Sequence, residues 1–115
     1  MIKKKVQRLI DNMFRFKYNP AMSAEMKTYV ITFDVAADRT RELIRDYLKS
    51  TYSTYCPIHK YCWAIVTADP AVKIRDKLSG FLNADDRLFI VRSGTEAAWR
   101  NSYGEDHNKW LKKNL

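Results

Sequence analysis

The chain has 115 residues, of which 46% are hydrophobic and 13% aromatic, so it can bury one compact core and wholesale disorder is excluded. Two cysteines, three glycines and three prolines exclude a disulfide-rich scaffold and fibrous or low-complexity classes. Twenty-one Lys and Arg against thirteen Asp and Glu give a net charge of +8, which favours polyanionic partners through counterion release without requiring them.

Residues 1–25 hold six of the basic side chains and two of the acidic ones. Within them Val6, Leu9, Ile10 and Met13 follow helical spacing, which predicts a basic amphipathic helix over residues 2–17. Asn19-Pro20 ends it, and residues 21–25 read as a linker to a domain over 26–115. Three roles stay open for this arm: a helix docked on the domain or its dimer mate, a membrane-surface helix, or a nucleic-acid contact through Lys3, Lys4, Lys5 and Arg8. Gln7, Arg8, Asp11 and Asn12 interrupt any signal-peptide apolar region, and no run reaches the roughly 18 apolar residues of a membrane span. The expectation is a cytoplasmic protein with no membrane partner.

Residues 28–35 are β-branched and aromatic almost throughout and predict a first strand. Asp38 is placed to cap the following helix, in which Leu43, Ile44, Tyr47 and Leu48 form the apolar stripe. A strand over residues 52–56, a turn over 57–60 and a strand over 61–67 predict a hairpin. Asp69-Pro70 reads as an acidic cap followed by proline at the first helical position, and Ile74, Leu78, Phe81 and Leu82 give the second helix its buried face. Asp85-Asp86 marks a turn, residues 87–92 the last strand, and Glu105 to Asn114 a final short helix.

Strand, helix, strand, strand, helix, strand with right-handed crossovers predicts an α+β, ferredoxin-like β-α-β-β-α-β sandwich. Its four-stranded antiparallel sheet carries two helices on one face, with strands one and three central. Tyr29, Phe33, Trp63 and Phe89 are candidates to cover the other face by dimerisation, and Ala97, Ala98, Trp99, Trp110 and Leu111 in the tail supply further apolar surface.

The opening strand Tyr29-Val30-Ile31-Thr32-Phe33-Asp34-Val35, with Arg39 and Arg41 after it, resembles the small CRISPR-associated family known as the second Cas protein. Cys62-Trp63-Ala64-Ile65-Val66, the strand Asp86-Arg87-Leu88-Phe89-Ile90-Val91-Arg92 and the sequence Glu96-Ala97-Ala98-Trp99 are similar to its SinR-like relatives. The resemblance covers residues 26–100. It implies a homodimer of ferredoxin-like domains in which the aspartates ending the first strands face each other and hold a divalent metal. It further implies either a metal-dependent nuclease or a scaffold that binds duplex DNA without cutting it.

Asp34 is therefore the candidate catalytic and metal-binding residue, with Mg²⁺ the candidate cofactor, since a hard cation takes oxygen ligands and lowers the pKa of bound water. Asp38 assists only if the loop folds back, and the competing role for Asp34 is a loop cap. Cys56, His59 and Cys62, spaced Cys-x2-His-x2-Cys, are open to three readings: ordinary hairpin residues, a redox pair, or part of a zinc site, with His107 the only other histidine. Arg39, Arg41, Arg45 and Lys49 form either a phosphate-binding stripe or a solvated face paired with Glu42 and Asp46. Arg87, Arg92 and Arg100 are placed equally well for phosphate or for a dimer edge. The expected function is non-catalytic binding of nucleic acid (DNA or RNA) or a nucleoprotein partner by a homodimer. The alternatives are a metal-dependent endonuclease using Asp34 at the dimer interface and an interaction or regulatory module with no nucleic-acid role.

Overall fold

Alternation of large apolar with smaller β-branched side chains draws Lys27–Asp34 into the first strand, and every other side chain of it is buried. The structure is a computed structural model that describes residues 25–115. In chain order these form β1 (Lys27–Asp34), α1 (Asp38–Thr51), β2 (Tyr55–His59), β3 (Cys62–Thr67), α2 (Ala71–Ser79), β4 (Arg87–Arg92) and α3 (Glu105–Asn114). The architecture is α+β: one four-stranded antiparallel sheet in the order β2-β3-β1-β4, with three helices. Strands β1 and β3 are central, as the sequence predicts. The arm expected over residues 2–17, with Lys3, Lys4, Lys5 and Arg8, lies outside the described residues.

Register decides which face of the sheet carries the core. Tyr29 pairs with Ile65 and Arg92, Ile31 with Trp63 and Ile90, and Phe33 with Leu88. Tyr29, Ile31, Phe33, Trp63 and Ile65 form one buried cluster with Ile44 and Leu48 of α1 and Ile74 and Leu78 of α2. Tyr29, Phe33 and Trp63 thus pack under the helices, not on the open face that the sequence assigned to them. The reason is parity. A strand with apolar residues at both odd and even positions does not announce which set meets the helices, and a choice one residue off inverts every side chain.

Several boundaries also shift. The first strand of the hairpin moves three residues later: β2 begins at Tyr55, and Pro57 lies inside it rather than in the turn, while β3 begins one residue later than expected. An edge strand tolerates proline because one side of it makes no ladder bonds, and the irregularity between Pro57 and His59 absorbs the mismatch. Tyr52 is instead the C-cap of α1, donating its N–H to the Leu48 carbonyl, with its ring buried in the core. Neither expected acid caps a helix. α1 starts after Ala37 and α2 after Pro70, each without a side-chain cap. Asp38 sits in the first turn of α1, where a negative charge still favours the helix dipole. Asp69 pairs with Lys73 at 3.4 Å while its N–H donates to the Thr67 hydroxyl.

Tyr52 makes a testable contribution to the core. Burial, then the neighbouring Tyr47 and Asp69, push its phenol up to about 12 from the ordinary 10. The folded chain therefore holds this proton more tightly than the unfolded chain. Its contribution to stability is complete below about pH 10 and is lost as pH rises towards 12. Tyr52→Phe should flatten that alkaline loss in thermal melts between pH 9 and 12, taken as roughly bracketing the phenol's titration. An unchanged alkaline slope would assign the loss to other groups.

The C-terminal segment does not cover the open sheet face with Ala97 and Ala98, which are exposed. It runs to α3, which packs against β2. Leu111 is buried, and the Trp110 indole N–H donates to the Thr54 hydroxyl at 2.7 Å. Trp99 donates to the Asn108 side chain at 3.0 Å, tying the approach to the helix. Gly104 precedes α3 at a φ of 144°, a backbone conformation that side chains disfavour.

Candidate functional sites

Asp34 ends β1 opposite Arg87 of β4, and its carboxylate lies 3.6 Å from the guanidinium. Both side chains are largely exposed, 77% and 81%, so water screens the pair. A shallow groove of about 420 Å³ runs past them along Thr32, Leu88 and Phe89. The loop after β1 is held by a different acid: Asp86 accepts the N–H of Ala36 at 3.3 Å and that of Asn83 at 2.8 Å. Asp38 opens α1 and adds no second carboxylate to a site, since no three His, Cys, Asp or Glu side chains gather around one point among the described residues. A metal at Asp34 therefore needs ligands from outside this set of residues.

The Cys-x2-His-x2-Cys spacing dissolves in three dimensions. Cys56 pairs with Ala64, and Cys62 pairs with His59, so the two cysteines are not opposite each other as a turn centred on His59 predicts. Both are free and buried, and burial pushes both thiols up from their ordinary value, which disfavours the reactive thiolate. His59 is exposed, and its Nδ1 accepts the N–H of Tyr61 at 3.2 Å. That bond puts the proton of the neutral ring on Nε2, a donor available to an incoming group.

The basic stripe gains company. Arg41, Arg45 and Lys49 recur every fourth residue and so share one face of α1. They line a cleft of about 450 Å³, to which the β2–β3 turn adds His59 and Lys60. Four formal cations thus converge with no carboxylate in the lining. Arg45 lies 3.4 Å from Asp46, an exposed and weak pair, whereas Arg41, Lys49 and Lys60 form no ion pair among the described residues. The Nε of Arg41 is buried and has no hydrogen-bond partner among them, an expensive arrangement for a charged donor. Arg39, two residues away, is exposed and does not line the cleft.

Aromatic rings complete the walls. Tyr55 and Trp63 sit on the core-facing side of β2 and β3 with ring centres 5.6 Å apart. Tyr103 and His107 enter from the other end of the chain, edge to face at 5.8 Å. Tyr103 is 58% exposed. The sequence shows the α1 stripe through its spacing, but not its convergence with Tyr103 and His107, more than fifty residues away. Arg87 and Arg92 end β4, and Arg92 reaches Glu25 at 3.9 Å; Arg100 is exposed.

The open sheet face is uneven. On β2 and β3 it carries buried Cys56, Cys62 and Ala64, whereas on β4 it carries Phe89 and Val91, 62% and 45% exposed. Thr32 and Val30 lie beside them on β1. Of the four aromatics assigned to this face from the sequence, Phe89 alone is there. No helix among the described residues is long and apolar enough to cross a membrane. No family model matches the chain, and no curated protein or solved structure matches it at a significant level.

Proposed function

We propose that this chain is a ferredoxin-like domain that acts as a homodimer and binds nucleic acid without cutting it. The observation that carries this reading is the cleft itself: four cations, an unpartnered buried guanidinium nitrogen and exposed aromatic surface, with no carboxylate among them. That combination suits a phosphodiester chain and repels metal ions. Read from its other edge, the sheet order is β4-β1-β3-β2, which with the β-α-β-β-α-β sequence supports the ferredoxin-like assignment. The resemblance of residues 26–100 to the second Cas protein and SinR-like families supports the same reading. The exposed strip of Phe89 and Val91 supports dimerisation through the β4 side of the sheet. The nuclease alternative rests on Asp34, which stands exposed and salt-bridged to Arg87 beside that strip.

Fluorescence anisotropy with labelled DNA and RNA, with and without Mg²⁺, tests the reading. Four phosphate contacts predict that log affinity falls against log salt with a slope of about −3 for a single strand. If Lys3, Lys4, Lys5 and Arg8 also meet phosphate, the full chain should show a steeper slope, and removing residues 1–25 should return it towards that value. Asp34→Asn should leave binding intact or strengthen it, because a repulsive carboxylate is lost. Mg²⁺-dependent cutting that Asp34→Asn abolishes would transfer the function to the nuclease. Absence of binding to every polymer at low salt would leave an interaction module.

A further inference from the structure

We propose that the cleft between α1, the β2–β3 turn and α3 is a pocket for one unpaired nucleotide, with its base against Tyr103 and its phosphate among Arg41, Lys49 and Lys60. This inference rests on the nucleic-acid reading above and specifies what that site takes.

The walls divide by chemistry. One carries the cations of α1 and the turn, and the buried Nε–H of Arg41 stands without an acceptor. A phosphate answers the positive charge gathered there, and charge-assisted bonds to its oxygens are the strong ones. His59 adds its Nε2–H as a donor, because its Nδ1 is already occupied by the Tyr61 N–H. Another part of the lining carries Tyr103, an aromatic ring left 58% exposed, together with His107, edge to face with it at 5.8 Å. A flat π-face beside a cluster of cations is the arrangement that stacks a base and holds its phosphate.

Size and shape narrow the ligand. About 450 Å³ falls in the range of small-molecule sites, roughly 300–1,000 Å³. The floor of Trp63 and Tyr55 is closed by the core, so the recess has a bottom. A paired base keeps its faces stacked inside a duplex and cannot enter without being flipped out. A free nucleotide and an unpaired nucleotide in a single strand present the same ring and phosphate, and they are the two sources to separate.

The test compares a mononucleotide, a short single-stranded oligonucleotide, a blunt duplex and inorganic phosphate, by calorimetric titration of the full chain. Tyr103→Ala and Lys49→Glu serve as variants, because both residues are exposed and their loss leaves the core intact. The single strand should bind more tightly than the duplex. Stacking worth about 1–3 kcal/mol per base predicts that Tyr103→Ala weakens the single strand about 5- to 150-fold and leaves duplex binding unchanged. Lys49→Glu should weaken every nucleotide-bearing ligand. Competition by the mononucleotide assigns the pocket to free nucleotides, and binding of the strand alone assigns it to strand segments. Equal affinity for duplex and single strand, or a strand affinity indifferent to Tyr103→Ala, overturns the pocket while leaving nucleic-acid binding in place. Competition by inorganic phosphate as strong as that by the mononucleotide reduces the site to an anion cleft and overturns the base contact. Failure of every polymer and of the mononucleotide overturns both this inference and the reading it rests on.

Discussion

Phe33→Ala is expected to cost about 3–5 kcal/mol of stability, the range for emptying a buried phenylalanine site. The side chain is 1% exposed and lies between the sheet and the helices, edge to face with Tyr61 at 6.3 Å. Its neighbours Ile31, Ile44 and Leu48 belong to β1 and α1, elements fixed by their own hydrogen bonds, so the cavity cannot easily collapse. For a domain of this size the melting temperature should fall by on the order of 15 °C. Val72→Ala, at an exposed position on α2, should stay within about 0.5 kcal/mol. Thermal or urea unfolding at several protein concentrations checks both. The Phe33 loss should be independent of concentration. A loss that shrinks on dilution would return Phe33 to a subunit interface, where the sequence pattern first put it.

Phe89→Asp is expected to break the proposed dimer while leaving the protomer folded. Phe89 and Val91 project from the edge strand beside Thr32 and Val30, and Arg87 bounds the strip at one end. An aromatic at the centre of an isologous contact meets its own copy, so a carboxylate there is placed near a second one and stripped of water. Hot-spot aromatics are worth about 2–4 kcal/mol, which corresponds to dimerisation weakened about 30- to 1,000-fold. Sedimentation velocity across a concentration series reads the shift, and circular dichroism checks the fold. An unmodified protein that is monomeric at tens of micromolar, or a variant that dimerises equally well, defeats this interface.

Much of the fold is legible in the sequence, because element type depends on local pattern. The strands at Tyr29 to Phe33 and at Arg87 to Arg92, the stripes Ile44/Leu48 and Ile74/Leu78, and α3 all stand where periodicity puts them. What local pattern does not carry is parity and partnership. Tyr29, Phe33 and Trp63 could lie on either face until Ile44 and Ile74 were known to meet them. Pro57 reads as a turn residue until β2 is known to be an edge. Asp69 reads as a cap until Lys73 claims its carboxylate. The site divides in the same way. The Arg41/Arg45/Lys49 repeat belongs to one helix and is visible by spacing, whereas Tyr103 joins the same lining through a C-terminal segment that packs on β2 and bonds Trp110 to Thr54, 56 residues away.

In the proposed reading, that contact links ligand binding to the order of the C-terminal helix. The sheet, α1 and α2 share a core cluster to which α3 contributes no member, its own buried residue Leu111 lying outside it, so detachment of α3 would leave that cluster in place. When α3 detaches, Tyr103 and His107 leave the lining of the cleft. The affinity expected for the proposed ligand is then the intrinsic affinity scaled by the docked fraction. By reciprocity, any molecule that touches both walls holds α3 down, so occupancy of the cleft and protection of the helix's amides rise together.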